Sequence, residues 1–351
     1  MKKFQAIASI FVGLGISSFA PMQAGTPLGG LTVAVSNDGS KLVAGGDTRT
    51  LLVLDPASLE VNERHWVEVA ITGMAFNKDA SMLAVQDSSD AVTLYSPTDW
   101  SKKVEIPKCF AFTSNGDLLA GHDGNYSGPN VSVYSFSDGA KKSTVTFDKG
   151  IKVAALALSQ DGIKLAVLTE GVKDTEENEV PYAQLPKDIK GLALEEFKQK
   201  NDGKTSQLFI YDPATGNKLS EAKIYYSTNP GSLLFFAGER LMVANYTNVN
   251  AVLSPEGEVE IFQLQNSYNY GIGTSAERST IMSGGLGGFS ITQSTSLAGV
   301  TGEIDKLPSW PEYWKGFCAS ADSSAIYGAT TAYRVFKLGS DGKVLKSEPV
   351  K

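Results

Sequence analysis

A chain of 351 residues could hold two or three average domains, although all-β barrels and propellers often keep a single domain at this size. With 31 Lys and Arg against 38 Asp and Glu, the formal charge of −7 makes nucleic acid and anionic membrane surfaces poor partners. Two histidines and two cysteines form neither a haem-attachment motif nor a closely spaced zinc set, which disfavours cofactor enzymes.

The N-terminus has the order of a secretory signal: Lys2-Lys3, an apolar stretch from residue 4 to 19, then the small residues up to Ala24. Cleavage after Ala24 is expected, leaving 25–351 with a charge of −9, because residues 1–24 carry two lysines and no acid. The apolar stretch is shorter than the ~20 residues a spanning helix needs, and no later run is long enough. The expectation is therefore a periplasmic or secreted protein with no membrane insertion after cleavage.

The rest of the chain repeats one pattern: an apolar run, a Ser-x-Asp-Gly turn, an apolar run, a polar turn, an alternating strand, a Gly turn and a last strand. Asp38 of Ser36-Asn37-Asp38-Gly39 recurs as Asp79, Asn115, Asp161 and Asp322. The early steps lie near the ~40–45 residues of a four-stranded propeller blade. A second series in the same phase, Asp138-Gly139, Thr215-Gly216, Glu256-Gly257 and Asp341-Gly342, marks tight turns between the third and fourth strands. A four-stranded unit with two apolar faces cannot hide them alone, so successive units stack around an axis. The spacing predicts an all-β, seven-bladed β-propeller with blades at about 28–69, 70–106, 107–148, 150–225, 229–265, 268–305 and 312–350. Blades five and six are degenerate at the first turn (Gly238-Glu239, Glu277-Arg278). The first blade starts with an inner strand and the last ends with an outer one, so the ring should close without an exchanged strand.

Ile210-Tyr211-Asp212-Pro213-Ala214-Thr215-Gly216, Asn245-Tyr246-Thr247-Asn248 and Val252-Leu253-Ser254-Pro255 resemble segments of bacterial YVTN-type and WD-repeat-like propellers. The resemblance spans nearly all of 25–351, without the Trp-Asp strand ending or the Gly-His opening of WD repeats. It implies the fold, with bacterial members serving as binding modules or hydrolase scaffolds, and assigns no catalytic residue.

In such a blade the loops between strands two and three share a face, here called the top, with the loops joining blades. Blade four carries a long insertion there, 171–205, which opens acidic with Glu170, Asp174, Glu176, Glu177 and Glu179 and then reads as a short helix over 192–200. It is either a flap packed on its own blade by Leu192, Leu194 and Phe197 or a lid or docking element. Blade-joining loops are rich in aromatics: His65-Trp66, Tyr225-Tyr226, Tyr268, Tyr270 and Trp310-Pro311-Glu312-Tyr313-Trp314. The expected binding wall is Tyr268, Tyr270, Trp310, Tyr313 and Trp314, with His122 and Tyr126 in the blade-three loop, and Trp100 alone on the lower face. The competing expectation is that such rings wedge between blades. The run 283–288, Ser-Gly-Gly-Leu-Gly-Gly, reads as a hairpin turn rather than a nucleotide loop, because it joins two strands.

Chemistry is sparse. His122 beside Asp123 is the candidate acid–base pair. Asp47, Asp87 and Asp123 in related top turns could hold calcium, or could cap their own turns. Arg49 and Arg278 are weak channel candidates. Cys109 and Cys318 fall on opposite blades and should stay unpaired, since a disulfide needs Cα atoms within ~7 Å. Two functions follow: an exported module that binds a protein, peptide or glycan through its top loops without a cofactor, or a hydrolase- or lactonase-like propeller using His122 and Asp123 at the channel mouth.

Overall fold

The computed structural model describes residues 29–125, 128–173, 180–226, 228, 232–245, 249–264, 269–305, 307–308 and 311–350. Seven antiparallel sheets span 31–66, 71–106, 110–146, 153–224, 233–262, 271–303 and 314–349. In six of them the four strands run in sequence order. In blade four a two-residue strand, Val172–Lys173, adds to the start of the third strand, Lys204–Tyr211. The expected ring of seven blades is the observed fold, and the blade limits match to within a few residues.

Apolar clusters seal the blade interfaces. One joins blades four and five through Leu208, Ile210, Tyr226, Phe236 and Leu253. Another closes the ring, packing Leu31, Val33 and Leu59 of blade one against Tyr327, Ala329 and Val335 of blade seven. Closure needs no shared strand, since blade seven's inner strand, Trp314–Ala319, lies beside blade one's, Leu31–Val35. Hydroxyl and ammonium donors add to the seam: Tyr327 Oη and Lys337 Nζ both donate to the Pro56 carbonyl, at 2.9 and 3.1 Å.

The repeated turns have one physical logic. In the first turn an aspartate accepts the hydroxyl and backbone N–H of its neighbours: Ser36 Oγ donates to Asp38 at 2.6 Å and Ser40 N at 3.0 Å, and Ser320 Oγ and Ser324 N do the same for Asp322 at 2.7 and 3.0 Å. These bonds pull both carboxyls down to about 2, the Ser36 hydroxyl being the largest cause at Asp38 and the Ser324 N–H at Asp322. In the turn before the fourth strand every blade places one residue in the left-handed region: Leu59, Trp100, Gly139, Gly216, Gly257, Leu297 and Gly342. Leu59, Trp100 and Leu297 fill space against the preceding blade. At Gly139 the backbone itself comes close, and a Cβ would stand 2.6 Å from Val104. Trp100 thus does not decorate the lower face as expected; it is half-buried against blade one, with its ring stacked on His65 at 5.1 Å.

The lower rim is tied around the ring. Asn37 Nδ2 donates to Lys78 O, Lys78 N to Gly116 O, Asn115 Nδ2 to Ser159 O and Ala321 N to Asn37 O. Gln160 skips blade five, whose first turn is only Gly238-Glu239, and donates to Ala276 O of blade six. Arg278, in the left-handed turn position held elsewhere by Gly39, Ala80, Gly162 and Ser323, reaches to the blade-three carbonyl of Ser114 and to Thr274 Oγ1. Together they cross the lower end of the ring.

The insertion contains a 3-10 turn, Tyr182–Gln184, and a helix, Leu192–Asn201, close to the expected span. No helix residue is buried, and the helix lies against the outer strand of blade five, Val259–Phe262, rather than packing on its own blade. Residues 204–205 belong to a blade strand, so the insertion proper is shorter than 171–205. Its acidic positions 174, 176, 177 and 179 lie outside the described residues. Among the described residues no helix is long and apolar enough to cross a membrane. Cys109 is buried one residue before the inner strand of blade three, Cys318 is half-buried in that of blade seven, and both are free thiols.

Candidate functional site on the top face

The top of blades six and seven carries a mixed aromatic and aliphatic patch. The run 283–288 is a hairpin turn as expected, and it lifts Leu286 to its tip, where the side chain is 58% exposed. Leu286 forms an isolated antiparallel bridge with Tyr313, and Tyr313 meets Tyr270 with ring centroids 4.8 Å apart. Backbone bonds hold all three: Tyr270 N donates to Gly284 O at 2.8 Å, Gly287 N to Glu312 O at 3.1 Å and Tyr313 N to Thr331 Oγ1 at 3.0 Å. Beneath them Glu312, 4% exposed, takes a two-pronged ion pair from Arg334, Nε at 3.0 Å and Nη2 at 2.6 Å, and a hydroxyl bond from Thr330. This buried pair fixes the loop that presents Tyr313.

Two of the five expected wall residues therefore come together, Tyr270 and Tyr313. Trp314 does not join them. Its indole is fully buried among Phe289, Phe317 and Phe336, with Nε1 donating to Gly287 O, so the wedge alternative holds at this position. The reason is strand register: Trp314 opens the inner strand of blade seven, and its side chain turns into the seam with blade six. Tyr226 is likewise fully buried, donating to Val249 O at 2.8 Å, whereas Tyr225 and Trp66 are exposed. Tyr268, Trp310 and Tyr126 lie outside the described residues. Leu286 escaped the sequence reading because the surrounding glycines identify a turn and say nothing of what its tip displays.

His122 ends the second strand of blade three, stacked on Phe110 at 5.4 Å. Its Nδ1 accepts the Gly124 N–H at 3.1 Å, which puts the proton of the neutral ring on Nε2. Burial pushes its pKa down to about 4 against the opposing charge of Asp123, so the ring is neutral at pH 7. Burial would raise Asp123, but bonds from Asn130 and Asn125 outweigh it and hold the carboxyl below its ordinary value. Both groups are engaged in shaping their own loop.

The other aspartates are similarly engaged. Asp47 accepts Tyr333 Oη at 2.8 and 2.7 Å across the ring seam, and Asp87 accepts Ser89 N, Ser89 Oγ and Ala91 N. Among the described residues no three His, Cys, Asp or Glu side chains gather as a metal site. Arg49 is exposed in a top turn, and Arg278 lies at the lower end, away from His122.

A cleft of about 360 Å³ opens between the outer strand of blade two, Lys102–Ile106, and blade three. Its floor is a row of small residues in register, Gly121, Ser132 and Thr144, flanked by Tyr134, Asn130 and Asp123. No sequence motif marked it, since three small residues on three strands become neighbours only through pairing.

No protein-family model matches the chain, and no curated protein matches it.

Proposed function

We propose that this protein is an exported binding module of the YVTN-like kind, periplasmic or secreted, which captures an extended peptide segment of a partner protein on the top of blades six and seven. The observation that carries this reading is the meeting of Tyr270, Tyr313 and the exposed Leu286 on one rigidly braced surface. Tyrosines offer contact area and a polar tip at low entropy cost, and energetic anchors of interfaces are enriched in them. The hydrolase alternative would need His122 to take a proton through Nδ1, the atom that already accepts the Gly124 N–H.

A peptide array with the protein as probe tests the reading. Tyr270→Ala and Leu286→Asp should each weaken capture at least about tenfold, or ~1.4 kcal/mol, while the melting temperature stays within a few degrees. Unchanged capture by both variants would refute it.

A further inference from the structure

We propose that the cleft between blades two and three is a second binding site, for an acidic saccharide. Its volume of about 360 Å³ lies within the range of small-molecule sites. Its lining is hydroxylic and amidic where a blade seam is ordinarily apolar. Ser132 and Thr144 share a hydroxyl–hydroxyl bond of 3.0 Å along the floor, and Asn130 stands at the upper rim. The half-buried ring of Tyr134 supplies one flat apolar wall. That combination suits a sugar ring, which presents hydroxyls at its edge and a C–H face to an aromatic.

Charge decides between a neutral and an acidic sugar. Four charged side chains line the cleft: Glu105, Asp123, Lys108 and Lys141. Glu105 is paired with Lys102, and Asp123 accepts three bonds from Asn125 and Asn130. Lys108 and Lys141 have no carboxylate within ion-pair distance among the described residues, and Lys141 stands 5.7 Å above the Tyr134 ring. Asp123 keeps its charge, so with the Glu105–Lys102 pair neutral the cleft holds two lysines against one carboxylate. A chain of uronic-acid units would set carboxylates at Lys108 at the upper end and at Lys141 at the lower end, with its hydroxyls on the Ser132–Thr144–Asn130 row between them.

Titration calorimetry of the protein with a trigalacturonate and with a neutral trisaccharide of the same size is the test. The acidic sugar should bind at least about tenfold more tightly than the neutral one. Lys108→Gln and Lys141→Gln should each erase most of that preference, and Thr144→Trp, which fills the cleft from an exposed position, should abolish binding while the melting temperature holds. Tyr270→Ala should leave saccharide binding intact, which separates this site from the peptide surface. No binding of either sugar, equal binding of both, or undiminished binding by Thr144→Trp would overturn the proposal.

Discussion

Two blade seams of the same architecture have opposite characters. Between blades six and seven, Trp314, Phe289, Phe317 and Phe336 fill the gap, and the buried Glu312–Arg334 pair seals its upper end. Between blades two and three, Leu94, Ile106, Leu119 and Phe136 pack part of the seam, and the row Gly121, Ser132 and Thr144 leaves the rest open. Strand pairing is alike in both, so side-chain volume along one cross-strand row decides whether a seam becomes core or cleft. Solid packing also lets the top of blades six and seven present Tyr270, Tyr313 and Leu286 on a firm base.

The filled seam between blades six and seven depends most on Trp314. Trp314→Ala should cost ~3–5 kcal/mol in urea unfolding, because the indole is fully buried among aromatics. A loss under ~1 kcal/mol would mean that the seam is loosely packed. Next comes Glu312→Ala, which strands the Arg334 guanidinium in a largely buried site. It should cost ~3 kcal/mol and also loosen the loop that carries Tyr313.

The open seam should instead respond to pH. Asp90, in the top turn of blade two, has its carboxyl pushed up to about 6 by burial and by the nearby Asp87. An aspartate raised in the folded state stabilises fully below its unfolded value near 4, and that stability is lost as pH rises through 6. Asp90→Asn tolerates the left-handed backbone at this position and should remove the loss, gaining ~1 kcal/mol at pH 7.5 relative to pH 4 after allowance for solvent screening. His122 works in the other direction. Its depressed pKa contributes stability above about 6.5 that is lost as pH falls toward 4, and His122→Phe should flatten this limb of the pH–stability curve. Parallel curves for wild type and both variants would contradict these assignments.

The smallest effect is expected for the blade-four insertion. Replacing 174–203 with a short Gly-containing turn should leave a cooperative propeller within ~1 kcal/mol of the parent, since its helix buries no residue and loop length costs little closure entropy. A larger loss would show that the helix braces the outer strand of blade five.

Periodicity alone was enough to read the scaffold. Aspartate turns such as Ser36-Asn37-Asp38-Gly39 and glycine turns such as Asp138-Gly139 use local hydrogen bonds and local backbone preferences, so they appear in the sequence wherever they appear in space. The unmatched cysteines, the hairpin at 283–288 and the helix near 192–200 followed from the same local rules and blade count. Which aromatics face solvent was not local. Tyr313 and Trp314 are adjacent in sequence, yet one meets Tyr270 on the top and the other is core, because a side chain's direction depends on where its strand begins and on the blade opposite. The Gly121–Ser132–Thr144 floor, the reach of Arg278 from blade six to blade three and the engagement of His122 by Gly124 likewise arise from groups far apart in the chain or from a loop's closed shape. Local turn chemistry wrote the ring into the sequence, and only the packing of blade against blade decided which surfaces remain open to a partner.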